Sequence, residues 1–323
     1  MKISPKKKLE IYNQMLLIRK IEERIAEEYN NNEMRCPVHL SIGQEACAVG
    51  ACIDLKTKDV LYSTHRSHAH YIAKKCDLNS MISEIYGKES GCCGGRGGSM
   101  HLIDVKKGMY GSIPIVGSSI ALALGSAYYQ SINNKNNITI VFIGDASIEE
   151  GIFHESANFA SLHNLPLIFI CENNLYSVYT NIIERQPHSK LIKHAESHNI
   201  KSKQIDGNDV LKIYEEINIA RKRCLKNEGP FFFQLDTYRW REHCGPNYDN
   251  NIGYRSEKEF NLWKLKCPIE KFRTKLVKEK TLNTVNEEKM KNIINKKIDN
   301  VFDFAKKSNL PSYKKAELFV YAK

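Results

Sequence analysis

Ile143-Gly144-Asp145-Ala146 and, further on, Cys171-Glu172-Asn173-Asn174 are the two stretches that decide how this chain folds. Each closes an apolar run, 138–143 and 167–171, that reads as a buried strand. Between them, residues 150–164 carry a helical period. Strand, helix and strand at this spacing form a right-handed crossover, which sets two parallel strands side by side. One strand then ends in Asp145 and its neighbour in Asn174. Adjacent strands lie about 4.8 Å apart, so a carboxylate and an amide oxygen can reach one small hard cation. Magnesium suits that donor set, because it takes few protein ligands and fills its shell from phosphate and water. The helix after Asp145 points its free N–H groups at a phosphate. Together these features predict a magnesium-diphosphate site at the carboxyl edge of an open sheet.

The rest of the chain extends this unit. Residues 6–29 form a first helix, with Leu9, Tyr12, Leu16, Ile21 and Ile25 near helical spacing. A helix over 43–53, an extended piece over 59–63 and a helix over 78–86 follow, and then a glycine-dense stretch, 87–99. Residues 118–131 are rich in Ala and Leu and predict a helix buried on most sides. An amphipathic helix over 209–226 stops at Gly229-Pro230, and 231–238 is a third strong strand. Residues 239–251 form a polar loop, and 256–308 are helical and basic. The fold class is α/β: one doubly wound parallel sheet with helices on both faces and helical N- and C-terminal extensions. The expected division is a sheet domain over 1–254 and a basic helical extension, packed on it, over 255–323.

Composition excludes several classes. With 323 residues and 42% hydrophobic content the chain can bury a full core. It has no run of about 18 apolar residues, so no membrane span is expected. The charged start, Met1-Lys2-Ile3-Ser4-Pro5-Lys6, is unlike a signal core. The ten cysteines are scattered without a Cys-x-x-Cys, and adjacent Cys92-Cys93 bridge poorly. Reduced thiols and a cytoplasmic location follow, not a disulfide framework or zinc site. Net charge is +11, but residues 255–323 hold 18 Lys+Arg against 9 Asp+Glu, so +9 lies in the tail, away from the site. That distribution argues for a solvated or docking face and against nucleic acid.

Beyond the opening motif, His39 with Gly43-Gln44-Glu45-Ala46, Thr64-His65-Arg66-Ser67-His68, Gly97-Gly98-Ser99-Met100-His101, Ile115-Val116-Gly117 and Thr237-Tyr238-Arg239 follow in order. With Gly144-Asp145 and Asn173-Asn174, which resemble a thiamine diphosphate signature, they resemble the alpha subunit of the thiamine-dependent dehydrogenase component of 2-oxo acid dehydrogenase complexes. The likeness spans roughly residues 6–275 and is nearest to the acetoin type, which has His-Arg where pyruvate enzymes have Tyr-Arg. It implies thiamine diphosphate and Mg2+ as cofactors. Asp145 and Asn174 would hold the metal by side-chain oxygens and Tyr176 by its carbonyl. Arg66 and His65 would bind the diphosphate, with donors from Gly144, Ala146 and Ser147. Pro114 and Val116 would line the aminopyrimidine side through main-chain atoms. His243 would stand beside the cofactor as a catalytic group, with His39 and His68 facing substrate. The glycine cluster at 94–98, which looks like a phosphate cradle, would be a tight structural loop.

The resemblance further implies a beta subunit carrying the pyrimidine domain and an activating glutamate, in an α2β2 assembly, and a lipoyl-bearing acyltransferase that takes the acyl group. The substrate would be a 2-oxo acid or acetoin. A non-oxidative thiamine-dependent lyase or acyl transferase on the same fold is the alternative. This chain departs from the family's usual pattern in three places, where Ala146 stands for glycine, Glu149-Glu150 replace neutral residues and Arg241-Glu242-His243 replaces His-Gly-His, and Cys244 stands where the pyruvate enzymes of animals carry a regulatory serine. The two glutamates are expected to point away from the diphosphate.

Overall fold

The computed structural model describes residues 3–34, 36–133 and 135–315. Helix α1 (Pro5–Tyr29) begins where Ser4 caps it, accepting from the Lys7 amide at 3.2 Å, with Pro5 in the first turn. Then come α2 (Glu45–Cys52), β1 (Val60–Ser63), α3 (His68–Ala73), α4 (Leu78–Ile85), β2 (Met109–Ser112), α5 (Ser118–Ile132), β3 (Thr139–Gly144), α6 (Gly151–Leu162) and β4 (Leu167–Asn173). A small hairpin, β5 (Tyr176–Ser177) and β6 (Thr180–Asn181), leads to α7 (Ile182–Arg185), α8 (Ile192–Glu196), β7 (Lys201–Asp206), α9 (Val210–Cys224) and β8 (Phe231–Asp236). Helices α10 (Glu257–Lys264), α11 (Pro268–Lys278) and α12 (Thr284–Lys307) close the chain. Among the described residues no helix is long and apolar enough to cross a membrane.

Six strands form one parallel sheet in the order β2-β1-β3-β4-β8-β7. The expected crossover is there: β3 pairs with β4 in parallel from Thr139 opposite Leu167 to Gly144 opposite Glu172. The third predicted strand, β8, lies on the far side of β4. Alternation along the strands splits the core in two. Ile140, Phe142, Ile168, Ile170, Phe231 and Phe233 face α1, α2 and α9, whereas Val141, Ile143, Leu167, Phe169 and Phe232 face α5, α6 and α8. Burying each such side chain contributes on the order of 2 kcal/mol.

The order of the strands creates the functional crevice. From β1 the chain crosses to β2 on one side, and from β3 it crosses to β4 on the other. The connections part between β1 and β3, which leaves a gap at their carboxyl ends.

The three C-terminal helices share a hydrophobic cluster with the sheet. Phe272 of α11 meets Tyr12 edge-on at 6.4 Å, and Phe302 of α12 meets Tyr86 at 6.3 Å. One expectation changes. Helix α5 is not buried on most sides: Leu122, Tyr129 and Ile132 are 50%, 56% and 59% exposed, because only the Ile120–Ala123–Ala127 face meets the sheet. The basic stretch is three helices, cut at Cys267-Pro268 and at Asn283, which caps α12.

Candidate active site

A cavity of about 220 Å³ sits at the parting of β1 and β3. Every strand end around it contributes: Thr64, His65 and Arg66 follow β1, Pro114 and Val116 follow β2, the turn Gly144–Ser147 follows β3, and Asn174 and Tyr176 follow β4. His243 enters on the loop after β8, and His39 from the segment before α2. All the sequence-derived site residues except His68 therefore line one space. His68 opens α3 inside the protein, fully buried, with Nδ1 3.3 Å from Glu22 and Nε2 2.7 Å from the Ser99 hydroxyl. Both ring nitrogens are engaged there, so the structure makes His68 a packing and anchoring group and does not present it to substrate.

Asp145 is 3% exposed, at the start of a 3-10 turn (Asp145–Ile148). Burial pushes its carboxyl up, and Arg185 beside it pulls the other way. Ala146 lies in this turn and outside the left-handed region, so its methyl group brings no backbone strain. Asn174 donates to Gln44 Oε1 at 3.2 Å, and its Oδ1 accepts from the Tyr176 amide at 3.4 Å. Gln44 of the Gly-Gln-Glu-Ala motif thus orients the amide. Gly43 in that motif has φ +100°, and an added Cβ would fall 2.5 Å from the Trp240 ring. The Tyr176 hydroxyl bonds Glu259 at 3.0 Å, and the residue lines the cavity.

Arg66 is buried and donates to the carbonyls of Leu40 at 2.8 Å and His243 at 3.0 Å. Burial, reinforced by the Arg239 charge, lowers its guanidinium to about 10. Around it stand His39, His65 and His243, whose ring centroids are 4.6–5.2 Å apart. Burial first and Arg66 second lower His39 to about 2 and His65 and His243 to about 3, so all three are neutral at pH 7. The His243 loop is fastened to the His39 segment: Trp240 N bonds Ile42 O at 2.9 Å and Gly245 N bonds Val38 O at 2.8 Å. Beneath it, Arg239 and Arg255 flank the buried Asp249.

Two functional neighbours escaped the sequence reading. Glu172 lines the cavity and is 3.3 Å from His70, which also holds Ser63 at 2.8 Å; its place in Cys171-Glu172-Asn173-Asn174 was the available signal. Arg185 bonds both Asp145 and Glu149, and nothing local in the sequence announces it. Neither Glu149 nor Glu150 lines the cavity. The glycine-dense loop is structural: the buried Glu84 carboxylate accepts the amides of Cys93, Gly95, Gly97 and Gly98 at 2.7–3.0 Å. Its inward amides are therefore taken by a side chain and are not open to phosphate.

The residues fit a phosphate-bearing cofactor held through a hard cation. They supply a buried carboxylate, an oriented amide oxygen, a buried guanidinium, an unpartnered His39 Nδ1 and an apolar wall at Ile113, Pro114 and Val116.

Residues 13–314 match the family described as dehydrogenase E1 component. The alpha subunit of acetoin:2,6-dichlorophenolindophenol oxidoreductase from Bacillus subtilis (strain 168) is 34% identical over 315 residues, covering 96% of this chain and 92% of that protein. The pyruvate dehydrogenase E1 component alpha subunit of Rickettsia bellii (strain RML369-C) is 30% identical over 310 residues, covering 96% and 94%. The chloroplastic pyruvate dehydrogenase E1 component alpha-3 subunit of Arabidopsis thaliana is 30% identical over 315 residues, covering 96% and 73%.

Proposed function

The chain belongs to the dehydrogenase E1 component family, and from that membership we propose that it is the alpha subunit of a thiamine-diphosphate- and Mg2+-dependent dehydrogenase acting on a 2-oxo acid or acetoin. The acyl group passes to a lipoyl acceptor on an acyltransferase. The observation that carries the reading is the single cavity at the parting of β1 and β3, which gathers Asp145, Asn174, Tyr176, Arg66 and His65 against Pro114 and Val116. Asp145, Asn174 and the Tyr176 carbonyl hold the cation, and Arg66 with His65 and the Gly144–Ser147 turn hold the diphosphate.

Thiamine diphosphate supplies a nucleophilic ring carbon and a cationic ring that takes up the electron pair when a carbon–carbon bond breaks. The chain's own part is placement and proton handling. Neutral His243 and His39 offer a donor or acceptor nitrogen next to Arg66. The buried Arg239–Asp249–Arg255 cluster keeps the His243 loop in place. The exposed apolar face of α5 supports assembly with a beta subunit, in an α2β2 complex with the cofactor at the interface. The expected helical extension over 255–323 packs on the sheet domain through residue 315, and its last residues, 316–323, lie outside the described residues. All ten cysteines are unpaired, which supports a cytoplasmic location.

The test is cofactor binding by the full chain co-expressed with its beta partner. Thiamine diphosphate binding is titrated with and without Mg2+ for the parent and Asp145→Ala. The parent is expected to bind in a cation-dependent way and the variant to lose that dependence. Unchanged binding by the variant refutes the ligand assignment.

A further inference from the structure

A guanidinium already holds the carboxylate that the cation would use. Arg185 ends α7, and one terminal nitrogen bonds Asp145 Oδ2 while the other bonds Glu149 Oε1. Its Nε donates to the Thr180 carbonyl at 3.3 Å. The Arg185 side chain is 11% exposed and that of Asp145 3%, so the pair is screened little by water. A buried carboxylate without a counter-ion is strongly disfavoured, and Arg185 removes that penalty when no metal is bound. A divalent cation and a guanidinium cannot share Asp145 Oδ2, since like charges at that spacing repel.

Two further features mark this connection as able to change partners. Leu175 and Val178, on the segment leading to Arg185, have φ of +75° and +53°. Neither is glycine and Val178 is β-branched, so this backbone is strained and held only by its surroundings. Glu149, one of the acidic residues that depart from the family pattern, offers the guanidinium a second carboxylate outside the cavity lining. Arg185 can therefore release Asp145 without losing all ionic contact.

We infer that Arg185 is the resident counter-ion of the cation site: it neutralises Asp145 in the unloaded chain, moves fully onto Glu149 when a divalent cation arrives, and so sets how tightly that cation is held. The inference rests on the reading of Asp145 as a cation ligand. A site blocked about nine-tenths of the time loses about tenfold in apparent affinity.

Mg2+ is titrated at saturating thiamine diphosphate, by intrinsic fluorescence, on the full chain with its beta partner. The variants are Arg185→Met and Arg185→Lys, and each is also melted without ligand. Arg185→Met is expected to bind Mg2+ about tenfold tighter and to melt lower without Mg2+, the melting difference closing at saturation. Lysine, a single point charge that cannot bridge two carboxylates, is expected to lie between parent and Met, and it decides the matter if the Met variant does not fold. Affinity equal to or weaker than the parent's in the folded variants overturns the inference, because a structural or phosphate-binding arginine can only weaken binding when removed. A parent that binds cofactor without regard to Mg2+ overturns the Asp145 reading itself and this inference with it.

Discussion

Replacing Glu84 by alanine should unfasten the glycine-dense loop. The buried carboxylate accepts four backbone amides, two on each oxygen: Cys93 at 2.7 Å and Gly95 at 2.9 Å on Oε2, Gly97 at 2.7 Å and Gly98 at 3.0 Å on Oε1. Hydrogen bonds to a charged group contribute about 1.5–3 kcal/mol each. The loop is only partly buried, so its amides recover some of that from water, and about 1 kcal/mol per bond, or about 4 kcal/mol in all, should be lost. For a chain of this size that lowers the melting temperature by about 6 °C. Glu84→Gln keeps one acceptor oxygen for two amides and turns an NH2 group toward the other two, so it should cost about half as much. Urea and thermal unfolding followed by circular dichroism, with hydrogen exchange at Gly95, Gly97 and Gly98, measure the effect. The reasoning fails if both variants stay within about 1 kcal/mol of the parent, or if glutamine costs as much as alanine.

His243→Ala should slow turnover by about a hundredfold while leaving thiamine diphosphate affinity intact, and steady-state kinetics beside a binding titration would separate the two; a normal rate would return His243 to a structural role. Since burial and Arg66 lower His39, His65 and His243 to about 2–3, none should titrate between pH 5 and 8 in a proton NMR titration of the imidazoles. The unfolded chain takes up these protons near pH 6.5, so their contribution to stability is present above that value and is lost as pH falls toward 3; a ring titrating near 6.5 would contradict the geometry. Leu122→Glu, on the exposed face of α5, should abolish co-purification with the beta partner while the chain's own circular dichroism spectrum is unchanged, and retained pairing would place the interface elsewhere.

What could be read from residues alone followed physical strength. The β3–α6–β4 unit was legible because three dense apolar segments with distinct periods leave few alternatives, and β8 because Phe231-Phe232-Phe233 stands amid polar flanks. The strands that escaped notice lack that signal. Strand β2, Met109–Ser112, is four residues with a glycine, and β7, Lys201–Asp206, is polar because most of it faces water. The burial of α5 was misjudged because alanine and leucine suit a sheet-facing surface and a subunit interface equally. His68 was misplaced because local spacing puts it beside His65 and Arg66, whereas its partners, Glu22 and Ser99, are distant in sequence. Arg185 was invisible for the same reason: it meets Asp145 only after the hairpin and α7 bring it back.

Strand β7 has one consequence for how copies of this protein can combine. It is an outer border of the sheet, and it presents exposed Lys201 and Lys203 beside an unpaired row of backbone groups. A second β7 laid alongside in parallel register would set Lys201 against Lys201 and Lys203 against Lys203, so in-register growth from this border is self-limiting.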